Sequence, residues 1–140
     1  MIDIHIKSVP IEEMRIPGSL GDYWYEGKTL EIRVAEYINA DWETLIATHE
    51  MIEEWLTKRR GLTEPEIQAF DEMWSKEHHS KDEEPGFDKR APYLREHTFA
   101  DAVERLALVV AGLSMQEYEE ATAMLYAPKL AVPGKLIPGL

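Results

Sequence analysis

The sequence predicts an α+β fold: a small N-terminal antiparallel sheet of two or three strands, followed by about four helices. Three observations carry this. Apolar residues alternate with period two up to about residue 36 and recur with period 3.6 from about residue 41. Two capping-box sequences, Thr63-Glu64-Pro65-Glu66 and Ser114-Met115-Gln116-Glu117, mark helix starts. Glycine and proline fall between the periodic stretches rather than inside them.

Residues 2–6 (IDIHI) alternate and predict a strand with Ile2, Ile4 and Ile6 on one face. Pro10 and Pro17-Gly18 break the chain next. GDYWY, from Gly21 to Tyr25, starts a second strand, and Gly27 suits the positive φ of a hairpin turn. Thr29 to Glu36 alternates again, with Leu30, Ile32 and Val34 inward and Glu31 and Arg33 outward. The first helix runs over about 42–60, with Asp41 as N-cap and Gly61 as terminator. Lys58, Arg59 and Arg60 sit in its last turn, where the helix dipole favours cations.

The second helix spans about 64–76, with Ile67, Phe70, Asp71 and Trp74 inward. Ser75 to Ala91 reads as a long charged loop holding His78 and His79. The third helix covers about 93–111. Its apolar stripe is Phe99, Val103, Leu106 and Val110, and His97 and Glu104 lie at the edge beside small alanines. A fourth helix spans about 115–126. The expected domain is residues 1–127, with 128–140 an extended C-terminal tail without regular structure that makes few contacts with it.

Composition narrows the function classes. The chain has 140 residues, enough for one domain with its own core. It has no cysteine, which removes disulfides, thiolate metal sites and a cysteine nucleophile. A formal charge of −12 opposes binding to a phosphate backbone, so a nucleic-acid partner is not expected. The apolar run Leu106 to Leu113 is too short to span a bilayer, and MIDIHIK lacks the pattern of a signal peptide. A cytoplasmic protein is expected.

The candidate chemistry lies on the first helix, Asp41 to Gly61. Trp42, Leu45, Ile46, Ile52 and Leu56 form its stripe, and at about 100° per residue His49 and Glu53 fall in the middle of it. A carboxylate among apolar side chains must be paired. Inward polar residues from three helices then make a set: His49, Glu53, Asp71, His97 and Glu104. Imidazoles and carboxylates are ligands for zinc or another divalent transition metal. The metal set is predicted as His49, Glu53 and His97, with Asp71 or Glu104 fourth. Glu50, rotated off the ligand face, is the expected catalytic base. A metal-free network of buried histidine and carboxylate is the alternative.

GDYWY, HEMIEEWL, GLTEPEIQAFD, EPGFD, APYLREH and AVERLAL together resemble a group of small phage and prophage proteins with no assigned activity, over roughly residues 20 to 120. The first helix is also similar to the HExxH active-site helix of zincin metallopeptidases. That likeness implies His49 as ligand and Glu50 as base, while Glu53 stands where the zincins have their second histidine. It also implies a zincin-like layout of strands followed by the helix. Two functions are expected. One is a small zinc-dependent hydrolase. The other is a non-enzymatic phage accessory or structural protein that binds a protein partner, or a second copy, through its acidic surface or C-terminal tail. An all-helical magnesium pyrophosphatase fits less well, because the second helix offers no E-x-x-D.

Overall fold

Three strands make a mixed sheet in the order β1-β3-β2, where β1 is Ile4–Val9, β2 is Gly21–Glu26 and β3 is Thr29–Ala35. The structure is a computed structural model that describes residues 1–80 and 83–126, and the backbone alone of 130–132 and 135–136. β2 and β3 form the expected antiparallel hairpin, with Gly27 at φ 61 opening its two-residue turn. β1, however, pairs parallel to β3, with Ile4 opposite Leu30 and Val9 opposite Ala35. The expectation of a purely antiparallel sheet is corrected here. Residues 10–20 carry the chain from one sheet edge to the other, so β1 and β3 run the same way. Alternation reports which face a side chain takes, not strand direction. Of the three isoleucines read as sharing a face, Ile4 reaches the core while Ile2 and Ile6 are exposed.

β3 is buried on both faces. Leu30, Ile32 and Val34 point into the main core. On the other face Glu31 is also buried, held by His5 Nδ1 and by Arg33 Nη1, each at 2.8 Å. Trp24 lies between the guanidinium groups of Arg15 and Arg33, at 4.9 and 5.1 Å. Arg15 also donates two hydrogen bonds to Asp22, at 2.7 and 2.9 Å. The outer face is thus roofed by charge-paired side chains, which is how an outward Glu31 comes to be buried.

The first helix, α1, is Ala40–Arg60. Its cap is Asn39 rather than Asp41: the Asn39 side chain accepts from the Asp41 N–H at 2.8 Å. Gly61 ends it at φ 83, a left-handed conformation that glycine adopts without strain. Trp42, Leu45 and Ile46 pack on the sheet. α4 (Met115–Tyr126) closes that core, its Tyr118 stacking on Trp42 with ring centroids 5.3 Å apart. α2 (Glu64–Ser75) begins with the capping box and places Phe70 against Ala91 and Tyr93 in a second, smaller core. A 3-10 turn, Pro85–Phe87, sits within the stretch read as loop, and Lys81 and Asp82 lie outside the described residues.

α3 (Leu94–Val110) runs antiparallel to α1. Arg60 of α1 pairs with Glu96 at one end, and His49 pairs with Glu104 at the other. Ala100 is wholly buried, as a close helix crossing requires. The buried face is rotated away from the one its apolar stripe predicts. Glu96, Ala100 and Leu108 are buried, while Phe99, Leu106 and Val110 are exposed. The polar residues decide this orientation: Glu96, His97 and Glu104 each find a charged partner on α1.

Among the described residues no helix is long and apolar enough to cross a membrane. Within the tail, expected to lack regular structure, β4 (Leu130–Val132) and β5 (Lys135–Leu136) pair as a short antiparallel hairpin. The rest of the tail lies outside the described residues.

Candidate metal centre

α1 presents His49 and Glu53 one turn apart, and α3 brings His97 to them. Three atoms converge. Glu53 Oε2 lies 2.8 Å from His97 Nδ1 and 3.2 Å from His49 Nε2, and the two ring nitrogens are 3.2 Å apart. The rings meet edge to face at 4.7 Å between centroids. His49 and Glu53 are buried and His97 is nearly so. A tetrahedral ion with bonds of about 2.0–2.2 Å holds its ligand atoms about 3.3–3.6 Å apart. The triangle is slightly smaller and would open by a few tenths of an ångström, so His49, Glu53 and His97 form a buried group that could bind a metal.

Each imidazole also faces a carboxylate on its far edge. His49 Nδ1 lies 2.9 Å from Glu104 Oε2, and Glu104 Oε1 accepts from the Tyr118 hydroxyl at 2.6 Å. His97 Nε2 is 3.4 Å from Glu84 Oε2, within ion-pair reach but without hydrogen-bond geometry. The Glu104 carboxylate holds the His49 ring proton outward and leaves Nε2 free to ligate. The 3-10 turn sets His97 in place. Gly86 lies flat on the ring, so close that a Cβ there would sit 2.4 Å from His97 Cγ. Phe87 packs edge-on at 4.6 Å between centroids.

The metal-free electrostatics are strained. Burial alone would push the His49 pKa down, but Glu104 and Glu53 overcome it and hold it up at about 11. His97, also buried, is held up at about 9 by Glu53 and Glu84. Glu53 is lowered: burial opposes its charge, and the two histidines outweigh that. Both rings are therefore imidazolium at neutral pH, with two N–H groups aimed at one oxygen and their nitrogens 3.2 Å apart. Two like-charged donors at that separation repel. A divalent cation replacing the two protons removes the conflict while keeping the charge.

The remaining predicted residues separate. Glu50 is half-buried and packs against β2 at Gly21, where a Cβ would meet Glu50 Oε1 at 2.5 Å. Burial, then the charge of Glu53, pushes its carboxyl up to about 8. Glu104 stands behind His49, and Asp71 accepts from the Tyr93 hydroxyl, with burial raising it to about 6. Sequence reasoning did not single out Glu84, Gly86, Phe87, Tyr118 or Gly21. Gly86 enters the sequence analysis only within EPGFD, and no periodicity marks a glycine pressed on a ring. The Tyr23 hydroxyl, also unforeseen, is buried and has no hydrogen-bond partner among the described residues. In the loop, His79 stacks on Trp74 at 3.6 Å and His78 is exposed.

No protein family matches this chain, and no curated protein or solved structure matches it either. The likenesses to phage proteins and to the zincin helix rest only on the residues that carry them.

Proposed function

We propose that the chain is a small metal-dependent hydrolase, with zinc or another divalent transition metal held by His49, Glu53 and His97. The observation that supports this most is the triangle of two ring nitrogens and one carboxylate oxygen, with sides of 2.8, 3.2 and 3.2 Å. Three protein ligands leave a coordination position for water, as catalytic zinc sites do. Glu50 is the base in this reading. It neighbours the ligand His49 in sequence, and its raised pKa suits a group that accepts a proton near neutral pH. Glu104 acts through His49, and Asp71 through Tyr93.

Elemental analysis of protein purified with zinc, iron and manganese present tests the ion: one equivalent is expected, and none overturns the proposal. Glu50→Gln tests the chemistry against a panel of esters and peptides. The variant should keep metal and lose hydrolysis. A wild type that binds metal yet hydrolyses nothing in the panel would favour a structural ion in a non-enzymatic protein.

A further inference from the structure

Beside the candidate centre, the Tyr23 hydroxyl is buried and meets no acceptor among the described residues. A buried donor left unused costs stability. β2 aims this one. Tyr23 pairs with Ile32 on the inner face of the sheet. Its neighbours on that face both touch α1: Gly21 lies against Glu50, and the Tyr25 hydroxyl donates to Glu54. Tyr23, between them, therefore faces the turn of α1 that carries Glu53. Burial, then the charge of Glu53, pushes the phenol far above its usual range, so it stays a hydroxyl at neutral pH. Thr57 is also close, but it sends its own proton to the carbonyls of Glu53 and Glu54, at 2.8 and 3.0 Å, and lacks bonding geometry with Tyr23. Gly21, Tyr23 and Glu50 are half-buried, so this part of the seam between β2 and α1 borders solvent.

We infer that the Tyr23 hydroxyl donates to an oxygen of the ligand at the proposed centre: a substrate carbonyl as it becomes an oxyanion, or an oxygen of a hydroxamate. The inference rests on the hydrolase reading and gives that site its oxyanion donor. Water adds to the carbonyl carbon as Glu50 takes its proton. The carbonyl electron pair moves to oxygen, where Tyr23 donates without losing its own proton. The pair then returns as the bond to the leaving group breaks, and that group takes the proton from Glu50. The placement fits, because the charges that act most on Tyr23 are those of Glu53, a proposed ligand, and Glu50, the proposed base. A lysine or arginine at this position would pair with either carboxylate. A neutral phenol adds a donor without a charge and is left for an incoming oxygen.

Tyr23→Phe removes the hydroxyl and keeps the ring. Its zinc content should equal that of the wild type. Its melting temperature should be equal or higher, because the lost group had no partner. Affinity for acetohydroxamate, followed by the visible spectrum of protein loaded with cobalt(II) in place of zinc, should weaken about tenfold. Where the ester and peptide panel yields a substrate, kcat should fall about 100-fold or more with KM little changed. Loss of either affinity or kcat, at unchanged melting and zinc content, supports the inference, and loss of neither overturns it. A fall of several degrees in melting temperature, or loss of zinc, overturns it too, since the hydroxyl then serves the fold or the ion. Failure of the hydrolase reading alone looks different: the wild type hydrolyses nothing, yet binds acetohydroxamate more tightly than Tyr23→Phe does. A wild type that takes up no ion, or that neither hydrolyses nor binds acetohydroxamate, overturns both.

Discussion

Glu104 Oε2 lies 2.9 Å from His49 Nδ1, on the ring edge opposite the nitrogen that meets Glu53 and His97. A carboxylate in that position fixes the tautomer and makes the inner nitrogen a better donor to a metal. Glu104→Gln keeps the shape and removes the charge. Its zinc affinity should fall by about 10–100-fold. Competition with a chromophoric chelator measures this. His49→Ala, which removes a ligand outright, should fall further, and equal losses in the two variants would deny Glu104 its indirect role.

Gly86→Ala should damage the site without touching a ligand. The added Cβ would stand 2.4–2.6 Å from three atoms of the His97 ring. Either the turn or the ring must move, at an overpacking cost of about 1–3 kcal/mol. For a domain of this size that is a fall of several degrees in melting temperature. Zinc affinity should drop as well, because Nδ1 moves with the ring. A variant that melts and binds like the wild type would mean that the turn yields freely.

The metal-free protein should lose stability as pH rises. His97 and His49 have folded pKa values of about 9 and about 11, above the free value of 6.5. The stability they lend is complete below pH 6.5 and is lost as pH climbs through those values. Asp71 and Glu50 act in the same direction, since burial lifts them from 3.8 to about 6 and from 4.5 to about 8. Glu53, held low, lends stability that disappears only on acidification below 4.5. Melting curves in a chelating buffer should therefore fall from about pH 4.5 to about pH 11, most steeply between about 6.5 and 8, where Glu50 and both histidines titrate together. Added zinc should restore more stability the higher the pH, since it competes with fewer protons.

Zinc uptake should release protons. With both rings charged in the metal-free form, binding near neutral pH expels at least two. Titration calorimetry in buffers of differing ionisation enthalpy counts them. Release of fewer than one proton per ion would mean that the rings are neutral beforehand.

Period and punctuation were enough to place the helices. The predicted 42–60, 64–76, 93–111 and 115–126 stand against Ala40–Arg60, Glu64–Ser75, Leu94–Val110 and Met115–Tyr126. His49 and Glu53 were legible because a helical wheel puts them inside an apolar stripe. The direction of β1 was not, because strand alternation is the same in parallel and antiparallel pairs. α3 misled for a definite reason. Its apolar stripe outweighs Glu96, His97 and Glu104 on any hydrophobicity count, yet those three have their charged partners on α1. Gly86 could not be read at all, since only tertiary contact reveals what a missing Cβ makes room for.

The three converging atoms come from two helices, and His49 and His97 stand 48 residues apart in sequence. An ion shared between them would act as a removable cross-link, closing a loop that contains all of α2 and the Pro85–Phe87 turn. Fluctuations that part α1 from α3 would then require release of the ion. Amide hydrogens in both helices would exchange at a rate set by the metal off-rate, whereas α2, inside the loop, could still open locally. Native-state exchange with and without zinc would thus divide the chain by tether rather than by secondary structure.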